Sequence, residues 1–316
     1  MDKQPDLVTI ASGAISARIN PQGAELWSLR DADGREYMTD ADPAFWTGHA
    51  PILFPIVGAL RDGRYRIGDE TYALPKHGFA RTSRFELAAS GPDHARFVLR
   101  ESAATLAVYP FRFALTVGFR CERDVLRMEA TVSNPAEEPM WFSFGFHPAF
   151  AWPLPGGAAK DDHRIVFAEA EPQPIRRIDG PSGLLLPESF ATPVAGRELV
   201  PGAELFEADA LIWDRLASRA LTYGAARGSR LEIAFPDTPM LGIWQKPGAQ
   251  YLCIEPWQGI ADPVGWDGDF RAKPGVVELA GGASRSFRMD VRIAWPAARP
   301  LRGRAYRGRK AGWTVS

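Results

Sequence analysis

Two of the five histidines sit where an imidazole could exchange protons with a ligand. His147 lies in Phe144-Gly145-Phe146-His147-Pro148-Ala149-Phe150, a polar ring among aromatic and small residues. His77 lies in Leu74-Pro75-Lys76-His77-Gly78-Phe79-Ala80-Arg81, directly after an expected strand. An imidazole in an apolar surround loses preference for its charged form, which suits proton transfer near neutral pH. The alternative for each is a satisfied core histidine. Glu255 ends the apolar run Tyr251–Ile254, and Pro256 after it is expected to stop the strand. A carboxylate at such a rim can be a general base held by rigid backbone, or a structural acid paired with an arginine. Arg61 follows the apolar run Phe54–Leu60 and could be a ligand clamp or a surface charge. Asp209 leads into an apolar strand and means little alone. His49, His94 and His163 stand in polar or loop-like contexts and read as structural.

Other chemistries find no foothold. The sequence has no phosphate-binding G-x-x-x-x-G-K-[ST] loop, no G-x-G-x-x-G after a strand, no G-x-S-x-G elbow, no H-E-x-x-H and no C-x-x-C. Its two cysteines, Cys121 and Cys253, cannot build a disulfide framework or a four-thiolate metal site, and read as buried free thiols. Lys and Arg total 37 against 38 Asp and Glu, so the net charge of −1 gives no reason to expect a nucleic-acid partner. The exception is residues 297–316, where Arg299, Arg302, Arg304, Arg307, Arg309 and Lys310 meet no acid; a solvated, poorly ordered tail is expected there. No apolar run is long enough to span a bilayer, and the first residues lack the pattern of a secretion signal. A cytoplasmic protein is expected.

The elements that must hold these residues are strands. Phe113, Leu115, Val117, Phe119 and Cys121 alternate with polar residues, as do Leu126, Met128, Ala130 and Val132 beyond the Glu122-Arg123-Asp124 turn. That pattern predicts an antiparallel hairpin with one buried face. Phe287 to Trp295 alternates in the same way, and Gly68-Asp69 suits a two-residue turn between Arg64–Ile67 and Thr71–Leu74. Val8–Ile19, Arg96–Arg100, Leu231–Phe235 and Tyr251–Ile254 are further strand candidates. Helical periodicity is weak, Ala203–Leu216 being at most a short helix or turn. With 30 Gly and 27 Pro among 316 residues, turns are frequent. The expected fold is all-β: a large antiparallel sandwich in one domain, residues 1–296, with Pro172–Pro201 as a long surface excursion.

Taken in order, the segments resemble the aldose 1-epimerase (galactose mutarotase) family, and within it the LacX-like branch. The resemblance runs over roughly residues 8–295. Its anchors are Phe54–Arg61 with the following hairpin, His77-Gly78-Phe79-Ala80-Arg81, Phe144–Phe150, Asp209, Leu241-Gly242-Ile243-Trp244 and Cys253-Ile254-Glu255-Pro256-Trp257. It implies a β-sandwich with a sugar cleft on one sheet, and a reaction that interconverts α and β anomers of a hexose or related aldose without metal or other cofactor. It places the catalytic base at Glu255 and the catalytic acid at His147. His77 would be a second imidazole, and Arg61 and Asp209 would bind substrate hydroxyls. Phe79, Trp244 and Trp257 are candidates to pack on the apolar face of the sugar.

The chain departs from the galactose mutarotases at two places. It has Leu60-Arg61 where they carry Asn-Arg, and His147-Pro148-Ala149-Phe150-Ala151 where they carry His-Pro-Tyr-Phe-Asn, so a galactose preference does not transfer. Two other functions stay open on the same fold: a hexose-6-phosphate mutarotase, which would need Lys76, Arg81 or Arg84 to converge on the cleft, and a non-catalytic sugar-binding or sensor protein. A two-His-one-carboxylate iron site from His77, His147 and Glu255 is a further arrangement. So is a glycosidase pairing Glu255 with Asp262, Asp267 or Asp269.

Overall fold

The computed structural model describes residues 6–295; the basic segment at 297–316 lies outside the described residues. The alternation read from the sequence becomes a nine-stranded antiparallel sheet. Its middle is the expected hairpin, Ala114–Glu122 against Val125–Ser133, flanked by Ser284–Ala294 on one side and His94–Arg100 on the other. Register puts Leu126 opposite Cys121, Met128 opposite Phe119 and Ala130 opposite Val117, so one face is uniformly apolar. The Gly68-Asp69 turn joins Arg64–Ile67 to Glu70–Ala73. The candidate strand Val8–Ile19 is instead two strands, Val8–Ala11 and Ile15–Asn20, folded back around Gly13 at φ +86°.

The second large sheet carries Glu255, Trp244 and Trp257. Its order is Leu211–Trp213, Met240–Trp244, Tyr251–Gln258, Phe144–Phe146 and Ile52–Leu53, with Ala149–Ala151 also paired to Tyr251–Gln258. Because side chains alternate, Leu241, Ile243, Leu252 and Ile254 enter the same core cluster as Val117, Met128 and Val291 of the nine-stranded sheet. Phe144 stacks on Phe287 across this junction, centroids 4.7 Å apart. Cys253, Glu255 and Trp257 therefore face the opposite way, together with Trp244.

Two expectations are corrected. Pro256 does not end its strand, which continues to Gln258. One register, with Cys253 opposite Ala149 and Trp257 opposite Gly145, runs through it on one edge, and on the other edge Pro256 itself pairs with Leu241. Pro172–Pro201 is not merely a surface excursion, since Ile175, Leu184, Leu185 and Val194 are buried. Ala203–Leu216 holds a 3₁₀ turn at Ala203–Phe206 followed by the strand Leu211–Trp213, whereas the single α-helix among the described residues is Ala103–Val108, capped by Ser102.

Candidate active site

The outward face of the second sheet floors a cavity of about 260 Å³. Glu255 rises from the centre of its strand opposite Gly242, and Trp257 lies two residues along. The Trp257 ring covers two glycines: a Cβ on Gly242 would come within 2.5 Å of it and one on Gly145 within 2.6 Å. The absence of side chains at these two positions is what lets the indole lie against the sheet. His147 occupies the short link between Phe144–Phe146 and Ala149–Ala151, both tied to the Glu255 strand, so acid and imidazole are fixed by adjacent backbones. His147 Nε2 and Glu255 Oε2 are 3.2 Å apart. They touch without hydrogen-bond alignment, leaving Glu255 Oε2 and His147 Nδ1 unpartnered.

His77 arrives from the other side on a turn that sequence alone could not aim. Its own φ is +69° and that of Gly78 +72°. A Cβ on Gly78 would fall 2.3 Å from Phe54 O, so only glycine allows the turn to seat against that strand. His77 N–H donates to Gly58 O, and Gly58 N–H donates to His77 Nδ1 at 3.1 Å. With Nδ1 accepting, a neutral His77 carries its proton on Nε2. The rings of His77 and His147 lie 5.7 Å apart, nearly perpendicular.

Burial sets the protonation of all three. It pushes Glu255 well above the ordinary carboxylate range, opposed by Lys76 and reinforced by Asp209. It brings His147 down to about 3, with Lys76 and Arg81 adding repulsion. It lowers His77 well below its usual value, aided by the neighbouring His147, Lys76 and Arg81. Burial thus disfavours charge on the carboxyl and on both imidazoles.

Asp209, Trp244 and Trp257 line this cavity. Asp209 holds a positive φ of +62°, and the Arg177 guanidinium donates to the carbonyls of Leu205 and Asp209 at 2.9 and 2.7 Å, clamping the turn that presents it. Arg61 and Phe79 do not reach the cavity. The backbone N–H of Arg61 is taken by Asp262 Oδ2 at 2.9 Å, Leu60 turns inward, and the guanidinium lies outside beside Asp62. Phe79 turns the other way, into the core against Phe54 and Phe113, because its N–H and that of Ala80 both donate to Phe54 O. Trp46 is the residue the sequence did not reveal: it stacks on His147 at 5.0 Å and meets Trp244 edge-on at 5.8 Å. It comes from an irregular loop with no periodicity to mark it. Lys76, Arg81, Ile178 and Gly183 also line the wall, the last two from the Pro172–Pro201 segment.

The rival arrangements do not assemble. Asp262 forms a buried ion pair with Lys273 at 2.7 Å and Asp269 pairs with Arg271; neither these acids nor Asp267 line the cavity, so no second carboxylate of that group faces Glu255. Among the described residues, the compact donor set around Glu255 is His147, Cys253 and Glu255, within 4.8 Å of one another, and excludes the His77 that a two-His-one-carboxylate site requires. Cys121 and Cys253 are both buried and unpaired.

Residues 6–181 match the family model described as aldose 1-epimerase. The chromosomal protein LacX of Lactococcus lactis subsp. lactis is 32% identical over 274 residues, 84% of this chain and 92% of its own. The chain belongs to the aldose 1-epimerase family. It is an isomerase, a mutarotase of the aldose 1-epimerase type, on an antiparallel β-sandwich. A galactose mutarotase related enzyme from Lactobacillus acidophilus superposes with a TM-score of 0.83 at 30% identity, covering 91% of this chain and 97% of that one. A galactose mutarotase-like protein from Lactobacillus casei gives 0.84 at 30% identity, covering 91% and 100%. No helix among the described residues is long and apolar enough to cross a membrane.

Proposed function

We propose that this aldose 1-epimerase interconverts the anomers of its sugar with Glu255 as base and His147 as acid, the two sharing one proton, and with His77 as a hydrogen-bond donor. The observation that carries this reading is the 3.2 Å contact between His147 and Glu255 inside a sugar-sized cavity walled by tryptophans. In the empty site the shared proton rests on Glu255. Sugar hydroxyls donating to the carboxylate favour its charged form, which transfers the proton to His147. Glu255 then takes the proton of the C1 hydroxyl while His147 protonates the ring oxygen. The C1–O5 bond breaks and C1 becomes a carbonyl. Rotation about C1–C2 presents the other face, and reclosure returns both protons, so no net proton is gained or lost. Positioned groups of this kind supply about 10²–10⁴-fold each over the spontaneous reaction. His77, neutral and protonated on Nε2, supports charge developing on a sugar oxygen without giving up its proton. Asp209 accepts from sugar hydroxyls, and Trp46, Trp244 and Trp257 pack on the apolar face of the ring.

The substrate is a free small-molecule aldose, and the buried unpaired thiols accord with a reducing, cytoplasmic setting. NMR exchange between α and β anomers at equilibrium tests the function directly. Across glucose, galactose, their 6-phosphates and less common aldoses, at least one exchange rate is expected to rise with enzyme. Sugar binding by equilibrium dialysis without accelerated exchange for any of them would make the protein a binding module instead.

A further inference from the structure

The buried ion pair Asp262–Lys273 lies behind the cavity wall, yet it is tied to the turn that aims His77. The Lys273 side chain is 1% exposed and that of Asp262 3%, with Nζ 2.7 Å from Oδ1. Charges taken this far out of water are costly, and losing either partner would strand the other. Each polar group of Asp262 holds a different piece of chain. Its Oδ2 accepts from Arg61 N–H at 2.9 Å, its N–H donates to Ala59 O at 2.9 Å, and its carbonyl accepts from Leu185 N–H at 2.8 Å. The first two bonds bracket Leu60 and clamp the segment that begins at Gly58. The third ties in the Pro172–Pro201 segment, where a Cβ on Gly183 would come within 3.2 Å of the Ala59 Cβ. Gly58 is the next link. At φ +75° it seats against Ala261, the residue before Asp262, so closely that a Cβ would fall 2.6 Å from the Ala261 Cα. Gly58 N–H donates to His77 Nδ1 at 3.1 Å, and Gly58 O accepts from His77 N–H at 2.9 Å. The first of these is the one hydrogen bond to the His77 ring among the described residues. One peptide unit thus decides both where the imidazole sits and which nitrogen keeps its lone pair.

Resting on the reading of His77 as a donor through Nε2, we propose that Asp262, held by Lys273, is a positioning residue for the reaction: it fixes the Gly58 peptide and thereby the tautomer and aim of the His77 ring. Asp262 touches no substrate and acts through Gly58. A carboxylate suits the task because its two oxygens accept separately, Oδ1 facing the ammonium and Oδ2 the Arg61 N–H, so the ion pair orients the second oxygen. With the Gly58 N–H pinned at Nδ1, the proton stays on Nε2 for the sugar oxygen. A ring free to change tautomer would offer a lone pair where a donor is needed, and displacement of a catalytic group by 1 Å costs roughly 10²-fold.

The test uses two double variants that leave no buried charge alone, Asp262→Asn with Lys273→Met and Asp262→Ala with Lys273→Met. The amide keeps an acceptor for Arg61 N–H, the alanine removes it, and the backbone bonds of residue 262 are common to both. Anomer exchange gives kcat and KM on the aldose that the intact protein accelerates most. Urea unfolding and long-range proton–nitrogen NMR of the His77 ring, which tells a protonated ring nitrogen from a bare one, accompany the kinetics. The intact protein is expected to show Nε2 protonated and Nδ1 bare near neutral pH. The asparagine variant should keep that pattern, with kcat within about threefold of the intact protein. The alanine variant should show a mixture of tautomers and lose at least about tenfold in kcat with little change in KM, because the contact it disturbs acts in the transition state. A merely structural pair would leave the His77 pattern and kcat the same in both variants, whatever their urea midpoints, and that result would overturn the proposal. So would a protonated Nδ1 in the intact protein, a measurement that needs no variant. A His77→Ala variant with undiminished kcat would instead overturn the role of His77 on which the proposal rests.

Discussion

At the scale of single residues, the site is built by moving two ionisable groups in opposite directions. Burial holds the Glu255 carboxyl protonated above its ordinary range and keeps His147 neutral down to about 3. The pair therefore carries one proton across a wide window. As pH falls, a second proton arrives only near the depressed value of His147; as pH rises, the first is lost only beyond the raised value of Glu255. The kcat/KM profile, which reports the free enzyme, should accordingly show no inflection at 6.5, its acid limb lying near the depressed value of His147, about 3, and its alkaline limb displaced upward with Glu255. A limb centred at 6.5 would mean that His147 titrates as an ordinary imidazole and that the pair is not coupled by burial. His77, His147, Glu255, Asp209, Trp244 and Trp257 could be picked out from the sequence because each stands in an ordered, family-like segment. Arg61 and Phe79 stand in such segments too, yet face away. Their direction is decided by Asp262 and by Phe54 O, partners distant in sequence or across a turn. Trp46 carried no signal at all, being one aromatic in an irregular loop.

At the scale of elements, two glycines on two strands decide where an indole can lie. Gly242 and Gly145 sit beneath Trp257, whose face forms part of the cavity. Replacing Gly242 by alanine puts a Cβ 2.5 Å from that ring, and the indole must lift into the space a sugar would occupy. Overpacking of this kind costs about 1–3 kcal/mol of stability. The expected outcome for Gly242→Ala is a lowered urea midpoint, altered tryptophan fluorescence and a KM raised by about tenfold, while kcat changes less, since Glu255 and His147 stay on their own backbones. A variant with unchanged fluorescence and KM would show that Trp257 does not wall the sugar site. The strands themselves were legible where alternation ran for eight residues or more, as in Ala114–Ser133 and Ser284–Ala294. They were misjudged where a single residue dominated the reading. Pro256 looked like a stop because the pairing that holds the strand on both sides of it, through Cys253 and Trp257, is a tertiary fact, absent from the local sequence.

At the scale of the whole molecule, one apolar cluster running from Ile10 to Ile293 packs the two large sheets together. The cavity lies on the side of the smaller sheet that this cluster does not use. The all-β class and the sandwich were within reach of the sequence, because period-two burial fixes a face as soon as it fixes a strand, while a cleft on one sheet was implied by the family resemblance alone. What closes the cleft was not: Ile178 and Gly183 belong to a Pro-rich segment whose wall-forming role depends on long-range packing. The central claim is that His147 and Glu255, held 3.2 Å apart by neighbouring strands, exchange one proton with the sugar. The most direct test is NMR anomer exchange catalysed by His147→Ala and Glu255→Gln beside the intact protein, with urea unfolding of each. Glu255→Gln replaces a buried neutral carboxyl by a neutral amide of similar shape, so its fold should persist. Each variant is expected to lose at least about a hundredfold in exchange rate with the fold retained. Near-intact rates in both would contradict the account.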